Sequence, residues 1–358
     1  MKTYKLAAIA LLHFCLLFIL SGCWNNKDIN HRVLPVAMGI SKQDKEYKVI
    51  LKIPEPHQGT TQIKIVSATG TTITQVVDKI SMNMESSVDL LHVKVIIIER
   101  ETAEQGVKDI ISGFMRARDV SAKALVVICD EDLDEFFSKI KKTTGPEGTT
   151  LFDFFEKNAG WNPQIALTRI WMVYRSIHSY THDVAIPLVK SGKSTMVEQI
   201  GSAVIKNGKM VGEINSDETL LVNAFNGEGI QGRIEVMDHA SVLIISDRME
   251  HKSKLIEQKP YLQSQINIKV VLLETRGDPS TKVIKKELEH LLTNRFNLMF
   301  TKFQTSKADI LGLGQFYRTQ ISRSQLKFWR SKYYPHLKMD IKFHINIQNE
   351  GYLKTSSD

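Results

Sequence analysis

Three cysteines in 358 residues cannot build a disulfide framework. Cys15 lies in an apolar leader, Cys23 stands at its end, and Cys129 closes the strand-like run Ala124-Leu-Val-Val-Ile-Cys129 without a partner, as a buried thiol would. Other shortages exclude chemistry. No paired cysteines or HExxH helix suggests zinc, and no GxSxG turn suggests a serine hydrolase. The eleven histidines are scattered without ligand spacing. No two carboxylates stand out as acid and base. An enzyme is therefore disfavoured, and no catalytic residue, metal or cofactor is expected. Internal repeats and low-complexity blocks are also lacking, so organisation must come from periodicity.

Two fragments imitate nucleotide motifs and fail. Lys190-Ser-Gly-Lys-Ser-Thr195 contains GKS, but a phosphate loop needs Gly five positions before Gly192, where Pro187 stands. It reads as a flexible linker. Gly312-Leu-Gly314 lacks the third glycine of a dinucleotide fingerprint, with Tyr317 in its place, and follows a helix instead of a strand; a tight turn is the simpler reading.

What is present starts with the leader. Lys2 and Lys5 precede an uncharged run from Leu6 to Leu20, about fifteen residues where a membrane span needs roughly 20. Ser21-Gly22 then offers small residues for cleavage. Leu20-Ser21-Gly22-Cys23 fits a bacterial lipobox, which makes Cys23 the expected diacylglyceryl site, with cleavage after Gly22. Two acyl chains insert at about 0.8 kcal/mol per methylene, on the order of 20 kcal/mol for the pair, so such an anchor is effectively permanent. Trp24 would sit at the membrane interface. Removing Lys2 and Lys5 lowers the formal charge from +8 to +6. The basic residues are dispersed and the chain is exported, which suits anionic lipid head groups and speaks against nucleic acid.

Composition, 42% hydrophobic and 24% charged, fits a folded chain of two domains. Tyr47, Val49, Leu51 and Ile53 alternate with Lys48 and Lys52, predicting a strand with one wet face. A loop over His57–Thr61 and a turn at Ser67–Gly70 follow, then an amphipathic helix through Ile73, Val76, Val77, Ile80 and Met84. Val93–Ile98, a helix over Ala103–Phe114 and Ala124–Cys129 form a βαβ unit. Acidic residues Asp130–Glu135 open another helix, and Thr150–Asn158 and Pro163–His178 read as two more. Asn207-Gly208 predicts a hairpin, and Ser216 the N-cap of a helix ending before Gly227. Strands at Gly232–Met237, Ala240–Ser246 and Gln265–Glu274, the longest helix over Thr281–Thr305, and an alternating strand over Leu337–Ile347 complete the reading.

The fold expected is α+β, mixed sheets with packed helices, after a signal peptide at 1–22. An N-terminal α/β domain would span 23–190, possibly subdivided, and a C-terminal α+β domain 200–358.

Several blocks carry a resemblance. Gly22-Cys23-Trp24-Asn25-Asn26-Lys27-Asp28-Ile29, Gly70-Thr-Thr-Ile73, Leu91–Glu99 through Arg118-Asp119, Gly201–Gly212, and Asp309-Ile-Leu-Gly-Leu-Gly314 followed by Trp329 occur in order. Together they resemble the Ger(x)C lipoprotein family, the C subunits of bacterial spore germinant receptors. Asn25, Asp28, Ile205 and Gly208 depart from the usual residues. The resemblance implies a place on the outer face of the spore inner membrane beside integral-membrane A and B subunits, with no established catalysis. It also implies that Arg118, Asp119, Gly201, Gly212, Asp309, Gly312 and Gly314 serve structure or contact a partner. Two rivals remain: a solute-binding lipoprotein of an importer, and a surface hydrolase.

Overall fold

The computed structural model describes Tyr4 and residues 31–57, 60–143, 150–155 and 162–349. The expected leader, Cys23 and Trp24 lie outside these residues.

Ten strands come first: β1 (Arg32–Val33), β2 (Ala37–Gln43), β3 (Glu46–His57), β4 (Thr60–Gly70), β5 (Ser87–Val88), β6 (Val95–Glu99), β7 (Leu125–Cys129), β8 (Val184–Ser191), β9 (Val197–Lys206) and β10 (Lys209–Ile214). Eight of them form one sheet in the order β10-β9-β8-β7-β6-β2-β3-β4, while β1 and β5 make a separate parallel pair. Strands β8, β7, β6 and β2 run parallel; β3–β4 and β9–β10 add antiparallel flanks. Parallel strands need cover on both faces, which explains the continuous apolar runs of β6 and β7.

The cover comes from helices α1 (Ile73–Met82), α2 (Arg100–Gln105), α3 (Lys108–Ala117), α4 (Leu133–Thr143), α5 (Thr150–Phe155) and α6 (Ile170–Ile177). Val76, Ile80, Ile110, Phe114 and Val173 pack on one face, and Phe136, Phe137, Ile140, Leu151 and Phe155 on the other.

Several expectations need correction. Strand β3 reaches into the expected loop as far as His57, β4 starts within it at Thr60 and runs on through the expected turn, and the two pair Tyr47 with Gly70 and His57 with Thr60. Lys52 does not face water: it is fully buried, because α4 and α5 cover the face that alternation assigns to it with Ile50. The helix expected over 103–114 is two, broken at Gly106, whose φ of +134° no helix tolerates. The helix expected from Pro163 starts only at Ile170, since the Thr168 carbonyl accepts from Val126 N at 2.8 Å and its hydroxyl donates to the Ala185 carbonyl.

The rest of the chain forms a second layer: α7 (Ser216–Phe225), β11 (Ile234–Val236), β12 (Ala240–Ile256), β13 (Lys259–Thr275), α8 (Thr281–Ser306), α9 (Arg323–Leu326) and β14 (Lys338–Asn349). The N-cap of α7 is Asn215, not Ser216. Its side chain accepts from Glu218 N at 2.8 Å, and the Glu218 carboxylate accepts from Asn215 N at 2.9 Å, a reciprocal capping box. Strands β12 and β13 run longer than their apolar segments suggest, joined at Glu257 and Gln258, both in the left-handed region. The sheet order is β11-β12-β13-β14. Helix α8 lays Ile284, Leu288, Leu292, Phe296, Met299 and Phe303 on it, a burial worth on the order of 10 kcal/mol before entropic costs.

Residues Lys190–Thr195 turn the chain from β8 into β9, with Ser191 opposite Val197. The large sheet therefore passes through the segment expected to part the domains. Ala185, Val204 and Ile214 of that sheet pack in the same core as α8.

Candidate functional site

Where the two layers meet, the stretch after α8 folds around a carboxylate. Asp309 is completely buried and accepts hydrogen bonds from Leu313 N, Gly314 N and Trp329 Nε1, each at 2.8 Å. Its backbone pairs both ways with Asp183: Asp183 N donates to the Asp309 carbonyl at 2.8 Å, and Asp309 N donates to Asp183 Oδ2 at 2.9 Å. Asp183, also buried, is clamped by Arg330 through Nε at 2.9 Å and Nη2 at 2.7 Å, and Arg330 donates further to the Ser179 carbonyl. Bidentate guanidinium–carboxylate geometry of this kind fixes orientation as well as charge. From the β9–β10 hairpin, Asn207 N reaches Asp183 at 3.3 Å, and Lys206 Nζ donates to the Ser306 carbonyl at 2.6 Å.

Glycine has a physical role at two of the expected positions. A Cβ on Gly314 would lie 2.7 Å from both Thr181 Cβ and the Trp329 indole, so the side chains of the knot close over a bare backbone. Gly201 has φ of +145°, and a Cβ there would stand 2.1 Å from the Ile214 carbonyl on β10. Gly312 faces the His182 ring. Nothing within 4 Å of a Cβ explains the glycine at 212, which sits at a bulge in the β9–β10 ladder.

Burial pushes the Asp309 carboxyl up to about 7, against the pull of its backbone and indole donors. Those donors hold the carboxylate in place and tie residues 313–314 to Trp329. Burial, aided by Arg175 and Arg330, lowers His182 to about 4, so its ring is neutral near pH 7. Trp329 stacks on Tyr317 with centroids 5.3 Å apart. Burial raises the Cys129 thiol to about 12, which keeps it inert. Among the described residues no three His, Cys, Asp or Glu side chains are placed to hold a metal ion.

The structure thus unites Asp309, Gly312, Gly314 and Trp329 in one knot and hangs the Gly201–Gly212 hairpin beside it. Arg118 and Asp119 lie elsewhere. Arg118, at φ of +57°, closes α3 through its N–H to the Phe114 carbonyl. Asp119 lines a cavity of about 250 Å³ with Thr72 and Ile73, so two of the sequence blocks meet there. Sequence reading missed Asp183 and Arg330. Neither sits in a periodic or spaced motif; only the adjacency of Arg330 to Trp329 hinted at a role.

The architecture defines a non-repeating α+β scaffold whose buried polar centre joins layers. Residues 25–191 match the family model described as spore germination protein N-terminal domain, and residues 200–351 match spore germination B3/GerAC-like, C-terminal. The chain belongs to this family of spore germination proteins, the Ger(x)C family. It is 21% identical to spore germination protein GerQC of Bacillus cereus, covering 82% of this chain and 84% of that protein. Identity to spore germination protein KC of Bacillus subtilis (strain 168) is 21%, covering 96% and 95%. The crystal structure of the GerBC protein shares the fold with a TM-score of 0.59 at 17% identity, covering 87% of this chain and 97% of that one.

Proposed function

We propose that this chain is the C subunit of a nutrient germinant receptor, a non-catalytic lipoprotein anchored through Cys23 on the outer face of the spore inner membrane. It assembles there with integral-membrane A and B subunits. The observation that carries the reading is the succession of both germination-family regions along nearly the whole chain, in order. The lipobox around Cys23 supports the anchor. No described helix is long and apolar enough to cross a membrane. Tethering beside a bilayer raises the effective concentration of membrane partners, so the lipid strengthens assembly without any new protein contact.

Affinity purification of the tagged chain from detergent-solubilised spore membranes tests the reading; two integral-membrane partners should co-purify, and their absence refutes it. Cys23→Ala should leave the membrane fraction with its circular dichroism unchanged. Full membrane retention of that variant rejects the anchor.

A further inference from the structure

The inner face of the four-stranded sheet is buried under α8, and strand alternation turns every second side chain of β12–β14 to solvent. Along Ser246–Lys254, Tyr261–Lys269 and Lys338–Asn346, those outward positions hold six basic side chains, Arg248, Lys252, Lys254, Lys269, Lys338 and Lys342. They hold two acidic ones, Glu250 and Asp340. At the hairpin tip Glu257 and Lys259 offset each other.

The acids are already engaged. Asp340 accepts from the Tyr261 hydroxyl and the Gln263 amide, each at 3.4 Å, and Glu250 lies 3.5 Å from Arg248. Lys252, Lys269, Lys338 and Lys342 make no ion pair among the described residues. Neighbouring strands lie about 4.8 Å apart, well inside a Debye length of about 8 Å, so the excess charges act as one field.

This face also has a hollow. A concavity of about 520 Å³ is lined by Ser246, Arg248, Asn267, Lys269, His344 and Asn346, and by two acids, Glu250 and Asp247, of which Asp247 accepts from Ile230 N at 2.9 Å. It lies where the ladder bulges at Ile244/Ser246 and Val270/Val271. A guanidinium, an ammonium, two carboxamides and a hydroxyl are the donors that a phosphodiester accepts.

We propose that the solvated face of β12–β14 docks on the anionic phospholipid head groups of a membrane, with a lipid phosphate seated in the hollow between Arg248 and Lys269. The choice of a bilayer rests on the membrane placement argued above. Single-stranded nucleic acid would require stacking aromatics, whereas Tyr261, the aromatic ring on this face, is covered by Lys254 at 4.9 Å. The lipid tether then holds the chain at the surface, and the basic face sets which side meets it.

The test uses the full lipid-modified chain on vesicles of phosphatidylcholine alone or with about 30% phosphatidylglycerol, a realistic anionic surface. Flotation with the neutral vesicles reads the anchor by itself. Lysine acylation, quantified by mass spectrometry, reads the face. Lys252, Lys269, Lys338 and Lys342 should be protected on the anionic vesicles only, with Lys45 and Lys79 labelled equally on both. About 0.5 M salt, where screening shortens to a few ångströms, should abolish the protection.

Each basic residue near an anionic surface is worth about fivefold in affinity. Reversing Lys252 and Lys342 to Glu cancels the excess of four charges, so the protection of Lys269 and Lys338 should fall by at least a hundredfold while flotation persists. Equal labelling on both vesicles overturns the proposal. So does stronger protection by a DNA duplex, or the same protection of Lys269 by inorganic phosphate alone.

Discussion

Lys52 supplies the sharpest test of the packing argument. Its side chain is fully buried and its Nζ has no hydrogen-bond partner among the described residues. The strand places it opposite Ala37 and Ile65, beneath the apolar cover of α4 and α5. Burial alone lowers its pKa from 10.5 to about 8. At about 1.4 kcal/mol per tenfold change in proton affinity, holding this ammonium in the fold costs about 3 kcal/mol. The sign follows from proton binding. Below pH 8 both folded and unfolded chains carry the charge, and the full cost applies. Between about 8 and 10.5 the folded chain has lost the proton while the unfolded chain keeps it, so stability rises with pH. Above 10.5 the cost is gone. Lys52→Met keeps the unbranched shape and removes the charge. It should raise the melting temperature at pH 7 by roughly 5 °C for a chain of this size, and the gain should shrink towards zero near pH 10.5. Melting curves of both proteins from pH 7 to 10.5 measure this. A gain that does not vary with pH, or a loss at pH 7, would refute the claim that an unpaired charge lies in that layer.

The carboxylate knot yields three further predictions. Gly314→Ala should cost about 2–3 kcal/mol, because its Cβ must push apart Thr181 and Trp329; chemical denaturation checks it, and an unchanged midpoint rules out the close approach. Arg330→Met should cost about 3 kcal/mol by leaving Asp183 buried and unpaired, and adding Asp183→Asn should recover part of the loss; additive losses in the double variant would contradict the pairing. His182 is depressed to about 4, so stability should fall as pH drops from about 6.5 to 4, where the unfolded chain takes up a proton that the folded one refuses. His182→Gln should flatten that part of the pH profile; an identical acid limb would count against it.

The contrast between Lys48 and Lys52 shows how far periodicity reaches. Both occupy the polar phase of the same strand, yet Lys48 pairs with Asp134 at a half-exposed position while Lys52 disappears under helices four residues further on. Alternation reports which residues share a face but not whether a helix from elsewhere covers it. The same limit explains the Ser67–Gly70 turn that became strand: small polar residues favour turns locally, but pairing with β3 overrides them. Conversely, Asn207-Gly208, Val95–Glu99 and the α8 stripe were legible because each signal is local and strong, a positive-φ turn, a β-branched run and a 3.6-residue period.

By itself the sequence determined the α+β class and the resemblance to the germination family, and it marked Gly312-Leu-Gly314 as a tight turn after a helix. These depend on short-range patterns that a linear chain displays. Only the tertiary structure decided that one sheet runs through residues 190–200, that Asp183 and Arg330 complete the knot, and that the basic residues of β12–β14 gather on one face. Those features join residues more than a hundred positions apart or select one side of a sheet, and both are set by the packing of whole layers.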